Sequence, residues 1–383
     1  MGLYSYSFQN KKRDLSDIMS TVIKDEPRFI SNFRRVEHAA DRKHEWIEDQ
    51  LSGRAVTVTA VSEGACTLSA NDLAKIRKGT LMVPANDSAL FQVTAVNTAG
   101  FTFTASLVAA NGSSTEALTA NMVMNIVSSP MAEASSNGDG EESYLLGGSE
   151  YNITQIFRKD IVLSGSALAV SLNGSADNQL NRQTAFALSE LARDLNRHAL
   201  FGRRVAATAS TPGEAGGLYS FAAGTGGLAI DADGAMLDSF IVNDGAQAVL
   251  SEGGNPVQIL CSPGQARVLS SEYRDRLQVL RSDDVRGSYV AVIVNEINGR
   301  GMTIMADGDV PDGDAWILDT AGFGISNLKG RAIMDEDATP RGFDGIKRMA
   351  LGELTFVFRN ARQRCCRIHG LMSSASAIAA QRD

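Results

Sequence analysis

FALSELARDLNRHALFG, from Phe186 to Gly202, is the stretch on which the fold turns. Thr184, Leu188, Leu191, Leu195 and Ala199 recur at three- and four-residue intervals, which predicts an amphipathic helix with one apolar stripe. Glu190 with Arg193 and Asp194 with Arg197 are spaced to pair on its polar face. Asp177 suits the N-cap and Gly202 the stop, so the helix runs from about Asp177 to Phe201. At about 1.5 Å per residue it spans roughly 35 Å, longer than a small domain needs. It reads as a spine for other elements.

Upstream of the spine, residues 1–50 form an arm. Leu15, Ile18, Met19, Val22 and Ile23 predict one short helix ended by Pro27, and the mixed charges after it leave too few apolar residues for a core. Residues 51–128 change texture: Val56, Val58 and Ala60 alternate with Thr57 and Thr59, and Phe91, Val93 and Ala95 repeat the pattern. Short antiparallel strands with hairpins such as Asn97 to Gly100 follow, enough for a small barrel or sandwich. A polar, acidic linker, Met131 to Gly148, leads to strand-like runs at Asn152–Arg158 and Asp160–Val170, so residues 129–170 return the chain to the spine helix at 171–205. Residues 206–341 mix a helix from Asp233 to about Ser251, a strand at Val257–Cys261, a helix at Gly264–Leu280 and strands at Val290–Val294, Met302–Ala306 and Ala315–Asp319. Residues 342–383 hold a closing strand, Gly352–Phe358, and a small-residue tail. The fold class is α+β.

The chemistry is sparse. A chain of 383 residues with a formal charge of −8 is not a dedicated nucleic-acid binder, although a local basic patch is compatible with it. Cys66, Cys261, Cys365 and Cys366 show neither metal-ligand spacing nor a disulfide framework, which points to a reducing compartment. The first 20 residues lack the apolar core of a signal peptide, and no run of 18 apolar residues would span a membrane. His38 and His44 read as solvated arm residues, and His198 as a surface ion-pair partner of Asp194. The Gly-rich stretch GGLYSFAAGTGG, Gly216 to Gly227, lacks the Lys and hydroxyl of a phosphate cradle. Asp231-Ala-Asp233-Gly234 opens like a calcium loop, but Val242 stands at the twelfth position. Asp307, Asp309, Asp312 and Asp314 fit ordinary turn chemistry better than a weak cation site. No catalytic residue, metal site or cofactor site emerges. Arg359, Arg362, Arg364 and Arg367 form the one local basic run, either a phosphate-facing patch or a charged rim that pairs with acidic residues of a neighbour.

Arm, β-rich excursion, spine helix, mixed domain and closing strand, in that order, resemble the major capsid protein of tailed bacteriophages with the Hong Kong 97-type fold. EWIEDQL (Glu45 to Leu51) is similar to that family's start of the extended loop, and NITQIFRKDIVLSGSA (Asn152 to Ala167) to its Asn-x-x-Gln-Ile and Val-Ser-Gly-Thr segment, with Leu163 and Ser166 departing from it. FALSELARDLNRHALFG resembles the spine helix, AGGL (Ala215 to Leu218) the segment after it, and LGELTFVFRNARQRCCRIHGL (Leu351 to Leu371), with Glu353, the closing peripheral strand. The resemblance is to the branch with a β-rich insertion in the extended loop, here residues 51–128. It implies a peripheral domain holding the spine, an axial domain at 206–341, and a non-enzymatic subunit that assembles into pentamers and hexamers around packaged double-stranded DNA. It implies portal and scaffolding proteins as further partners, no membrane, no cofactor, and a virion assembled in the bacterial host cytoplasm. Two other readings differ in kind: a tail or adhesin component that binds carbohydrate through residues 51–128, and a metal-dependent hydrolase built on the Asp307–Asp314 turn.

Overall fold

The computed structural model describes residues 27–48, 53–62, 64–85, 89–109, 118–130, 148–169, 179–224, 227–272 and 292–381. The expected N-terminal helix, the linker at 131–147, the Asp177 cap and the helix residues beyond 272 lie outside them. Two compact units result, Met1–Trp46 with Ser149–Asp383, and Ile47–Gly148.

In the larger unit a five-stranded sheet orders Arg34–Arg35, Phe323–Asn327, Gly345–Phe358 and Gln155–Ser164, with Met334–Asp337 also paired to Gly345–Phe358. The strand Gln155–Ser164 alternates as expected for a half-buried strand, burying Phe157 and Ile161. The spine helix runs from Gln179 to Phe201. Its buried line is Ala187, Leu191, Leu195 and Ala199, whereas Leu188, expected on the apolar stripe, is 41% exposed. Towards the C-terminus burial spreads to Asn196 and Leu200, because the helix end is enclosed by more than the sheet.

A six-stranded sheet orders Leu228–Asp231, Cys365–His369, Ala315–Leu318, Gln258–Cys261, Gly301–Ala306 and Val292–Val294. Its two faces serve two cores. Leu260, Trp316, Leu318 and Cys365 join the aromatic core that also holds Phe29, Leu191 and Phe356; Ile259, Cys261, Ile317 and Cys366 join the core under the helix Ser239–Ser251. Strand alternation thus sends the adjacent Cys365 and Cys366 to opposite faces. Burial pushes the thiols of Cys261 and Cys366 up to about 12, so both are inert at neutral pH.

Sheet membership does not follow the expected boundary between residues 341 and 342. Phe323–Asn327 and Met334–Asp337 lie in the sheet of the closing strand, whereas Cys365–His369 lies inside the six-stranded sheet. Periodicity marks a strand but not the sheet it joins. Several element bounds also differ. The closing strand begins at Gly345 and runs 14 residues. Residues Gly165–Ala169 form a short helix instead of extending the preceding strand, with Ser164 Oγ accepting the N–H of Ala167 at 3.2 Å. The helix expected from Asp233 begins only at Ser239, because Asp233 has a φ of 46° in a turn and Asp238 is the cap, accepting from Ile241 N at 2.9 Å.

The smaller unit holds a seven-stranded sheet in the order Ala55–Thr57, Val123–Ser128, Leu81–Pro84, Leu90–Asn97, Thr102–Ala109, Ala65–Thr67, Ala60–Ser62. The first and last of these are consecutive in the chain, so one run pairs with Val123–Ser128 at its start and Ala65–Thr67 at its end. That closes the sheet into a barrel. Val56, Val58, Met82, Phe91, Phe103 and Met124 fill it. The expected hairpin at Asn97 is present, its Oδ1 accepting the N–H groups of Ala99 and Gly100 at 3.1 and 3.3 Å.

Leu191, 2% exposed, and Leu188 make a paired test of the helix orientation. Leu191→Asp is expected to cost about 3 kcal/mol or more and to abolish soluble folding. Leu188→Asp is expected to stay within about 0.5 kcal/mol of the parent, as read by thermal unfolding and soluble yield.

Candidate functional site

Four of the five segments that carry the resemblance meet at the C-terminal end of the spine helix. Ala215 to Leu218 lies directly on that end, with Gly217 donating its N–H to the Gly202 carbonyl at 2.7 Å. A Cβ on Gly217 would stand 2.5 Å from the His198 carbonyl oxygen, and one on Gly202 would run into the carbonyl of Ala215. Only glycine permits this approach. The backbone groups brought in so closely need partners. Asn152, fully buried, accepts the Gly216 N–H at 2.7 Å and donates to the carbonyls of Gly216 at 3.0 Å and Phe356 at 2.7 Å. Gln155 accepts the Ala215 N–H at 3.0 Å. Thr154 donates to buried Glu353 at 2.7 Å, and Arg331 stands 3.2 Å from the second Glu353 oxygen. The Asn-x-x-Gln segment, the AGGL segment and the Glu353 strand therefore form one hydrogen-bonded joint.

His198 belongs to this joint and not to the surface. Its Nε2–H donates to the Ala215 carbonyl at 2.8 Å, and its ring meets Phe157 edge-on with centroids 5.5 Å apart. Asp194, its expected partner, instead reaches Lys159 at 2.7 Å. Burial holds the imidazole below its usual range, against opposing effects of the Ala215 carbonyl and Glu214. Spacing along a helix pairs residues with one another but does not say which side faces the sheet.

A second joint fastens residues 27–39 to the body of their own chain. Buried Asp307 accepts the N–H groups of Phe29 at 2.8 Å and Arg28 at 3.2 Å. Asn196 on the spine helix donates to Asp307 at 3.0 Å and accepts the Ile30 N–H at 3.0 Å. Phe29 is buried against Phe33 and Phe323, and Arg34–Arg35 pairs in parallel with Gly324 and Ile325. The sequence showed that this segment needs a support but not that Asp307 supplies it. The signal was Asn196, a polar residue flanked on the helix by Leu195, Ala199 and Leu200.

The acidic turn is thereby accounted for. Asp309 binds Arg197 at 2.6 Å, Asp312 accepts from Ser262 at 2.7 Å, and Asp314 accepts from Tyr219 at 2.6 Å and Arg367 at 2.9 Å. Among the described residues no three His, Cys, Asp or Glu side chains gather to hold a metal. The structure divides the basic run. Arg367 is held by Asp314, and Arg364 by buried Asp319 at 3.1 Å, whereas Arg359 and Arg362 are exposed. Among the described residues no helix is long and apolar enough to cross a membrane.

A long spine helix on a sheet, a strap on that helix and a second sheet shared between two cores are the parts of a Hong Kong 97-type capsid subunit. Solved structures agree in fold. The cyanophage A-1(L) capsid superposes with a TM-score of 0.59 at 12% identity, covering 97% of this chain and 100% of that one. The capsid of an empty GTA particle gives 0.51 at 10% identity over 97% and 100%, and Gordonia phage Cozz 0.51 at 11% over 95% and 92%. No curated protein matches the sequence. The family model described as SU10 major capsid protein matches residues 3–372, and the chain belongs to that family, a shell-forming major capsid protein.

Asn152→Ala is expected to strand the Gly216 N–H and two carbonyls in the interior and to cost about 2–4 kcal/mol in chemical denaturation. His198 gives a pH signature. Because folding favours its neutral form, its contribution is complete above the unfolded imidazole value of about 6.5 and is lost as pH falls below it. The stability of His198→Gln is expected to fall less steeply between neutral and mildly acidic pH than that of the parent.

Proposed function

We propose that this protein is the head subunit that assembles as pentamers and hexamers into an icosahedral shell around packaged double-stranded DNA. The observation that carries the proposal is the family match across residues 3–372, joined to a fold in which the Asn152, Ala215–Leu218 and Glu353 segments and the spine helix form one joint. The subunit acts by assembly and not by turnover, in the cytoplasm of a bacterial host, with portal and scaffolding proteins as partners, and its destination is the virion. Residues 51–128 are proposed as an insertion in the extended loop, and their closed barrel supports this reading because it has a core of its own. Repetition of modest contacts by symmetry gives such a shell its stability.

Expression of the full chain, with scaffolding partner supplied, tests the proposal by electron microscopy and sedimentation. Closed shells of many megadaltons are expected. Rings or trimers without closed shells would favour a tail or adhesin component, and a uniform small monomer would refute assembly altogether.

A further inference from the structure

The five-stranded sheet has one face on the spine helix and one face open. Along Gln155–Ser164, Phe157 joins the aromatic core with Leu191, and Lys159 reaches Asp194 and Glu190 of the helix. Alternation therefore turns Ile156, Arg158, Asp160 and Val162 to the other side, where Ile156 is 48% and Val162 55% exposed. Register extends this face across two more strands. Lys347 lies opposite Val162, Leu351 opposite Arg158 and Met334 opposite Leu351, and residues directly opposite share a face. Met334 is 44% exposed. The charges on this face neutralise one another: Asp160 holds Arg158 at 2.6 Å and Lys347 at 3.4 Å, and Glu336, in register with Asp160 through Met349, balances the second cation. Gln155–Ser164 is also an edge, since among the described residues no strand pairs with the outer side of its ten residues.

We infer that this open face, which carries Ile156, Val162 and Met334 around the ion group of Asp160, is a docking surface for a second copy of this chain. The inference deepens the proposed assembly and rests on it. A face without net charge that exposes apolar side chains suits a protein partner and not a polyanion. Size narrows the partner further. Three half-exposed side chains fall far short of the ~800 Å² per partner that a stable pairwise interface buries. Such a contact holds only where many equal ones act together, which a closed lattice of identical subunits supplies and a singly bound partner does not. The uncovered edge points the same way, since a long free edge left in water invites pairing with other chains. A neighbouring copy that covers it removes that hazard.

The native cysteines Cys66, Cys261, Cys365 and Cys366 are buried, so a single introduced thiol can be read alone. Val162→Cys and, separately, Met334→Cys are made in the full chain, which is assembled with scaffolding partner and sorted by sedimentation into shells and unassembled subunits. A hydrophilic maleimide is expected to label the introduced thiol readily in subunits and about tenfold more slowly in shells, where the reaction waits on local opening. Parent shells built from a mixture of heavy-isotope and unlabelled subunits identify the occupant. A photo-cross-linker anchored on the Lys347 amine is expected to give peptide pairs that combine the two isotopes. Equal labelling in shells and subunits overturns the inference, as does protection already present in the isolated subunit. So do Lys347 cross-links confined to one chain or to the scaffolding protein. Electron microscopy of the same samples separates the two claims: closed shells with unprotected thiols refute only this surface, whereas a parent that never forms shells refutes the proposed assembly and this contact with it.

Discussion

The structure depends on bringing the backbone of residues 215–217 against the end of the spine helix without leaving a polar group unpaired. Two constraints meet there. Glycine at 202 and 217 is required by space, and a side chain with both donors and an acceptor is required by the peptide groups that the close approach removes from water. Asn152 answers the second, since its amide bonds the N–H and C=O of one residue, Gly216, and extends to Phe356 in the closing strand. A helix end, a loop and two strands distant in sequence are thus fixed by one buried amide. The aromatic core around Leu195, Phe356 and Phe358 then packs on a scaffold whose geometry is already set.

The same logic holds the strap at residues 27–39, whose first N–H groups are received by Asp307 and Asn196. A segment with too little apolar surface for its own core is bound through its backbone and one anchoring ring, Phe29. The six-stranded sheet continues the economy, since its strands Gln258–Cys261, Ala315–Leu318 and Cys365–His369 contribute alternate residues to two cores. Among the described residues the larger unit and the barrel each pack cores of their own, and side chains such as Ile47 and Phe240 stay exposed.

The spine helix was legible because a long 3.6-residue period survives any tertiary context. So was the β-rich stretch, where Val56, Val58, Phe91 and Val93 alternate without interruption. The motif segments were legible as a resemblance, but not as a joint: nothing in the spacing of Asn152, Ala215 and Glu353 says that they touch. His198 and Leu188 show the limit from the other side. Both were placed by helical spacing, and both were misplaced because the sheet supports only part of the helix surface, leaving Leu188 exposed and turning His198 inward. The basic run is divided for a related reason. Neighbours in sequence at Arg359 to Arg367 span the passage from one sheet to the other, so Arg364 and Arg367 find aspartates of the acidic turn and its surroundings while Arg359 and Arg362 remain outside.

The central claim is that this chain forms a shell from subunits that each hold residues 27–39 on their own body. A cryo-electron microscopy reconstruction of the assembled particle, traced at side-chain resolution, tests it most directly. The account predicts a closed shell in which every subunit keeps Asn152 against Gly216 and Phe356 and keeps residues 27–39 on its own Asp307. A shell in which residues 27–39 cross to a neighbouring subunit, or the absence of any closed shell, would contradict it.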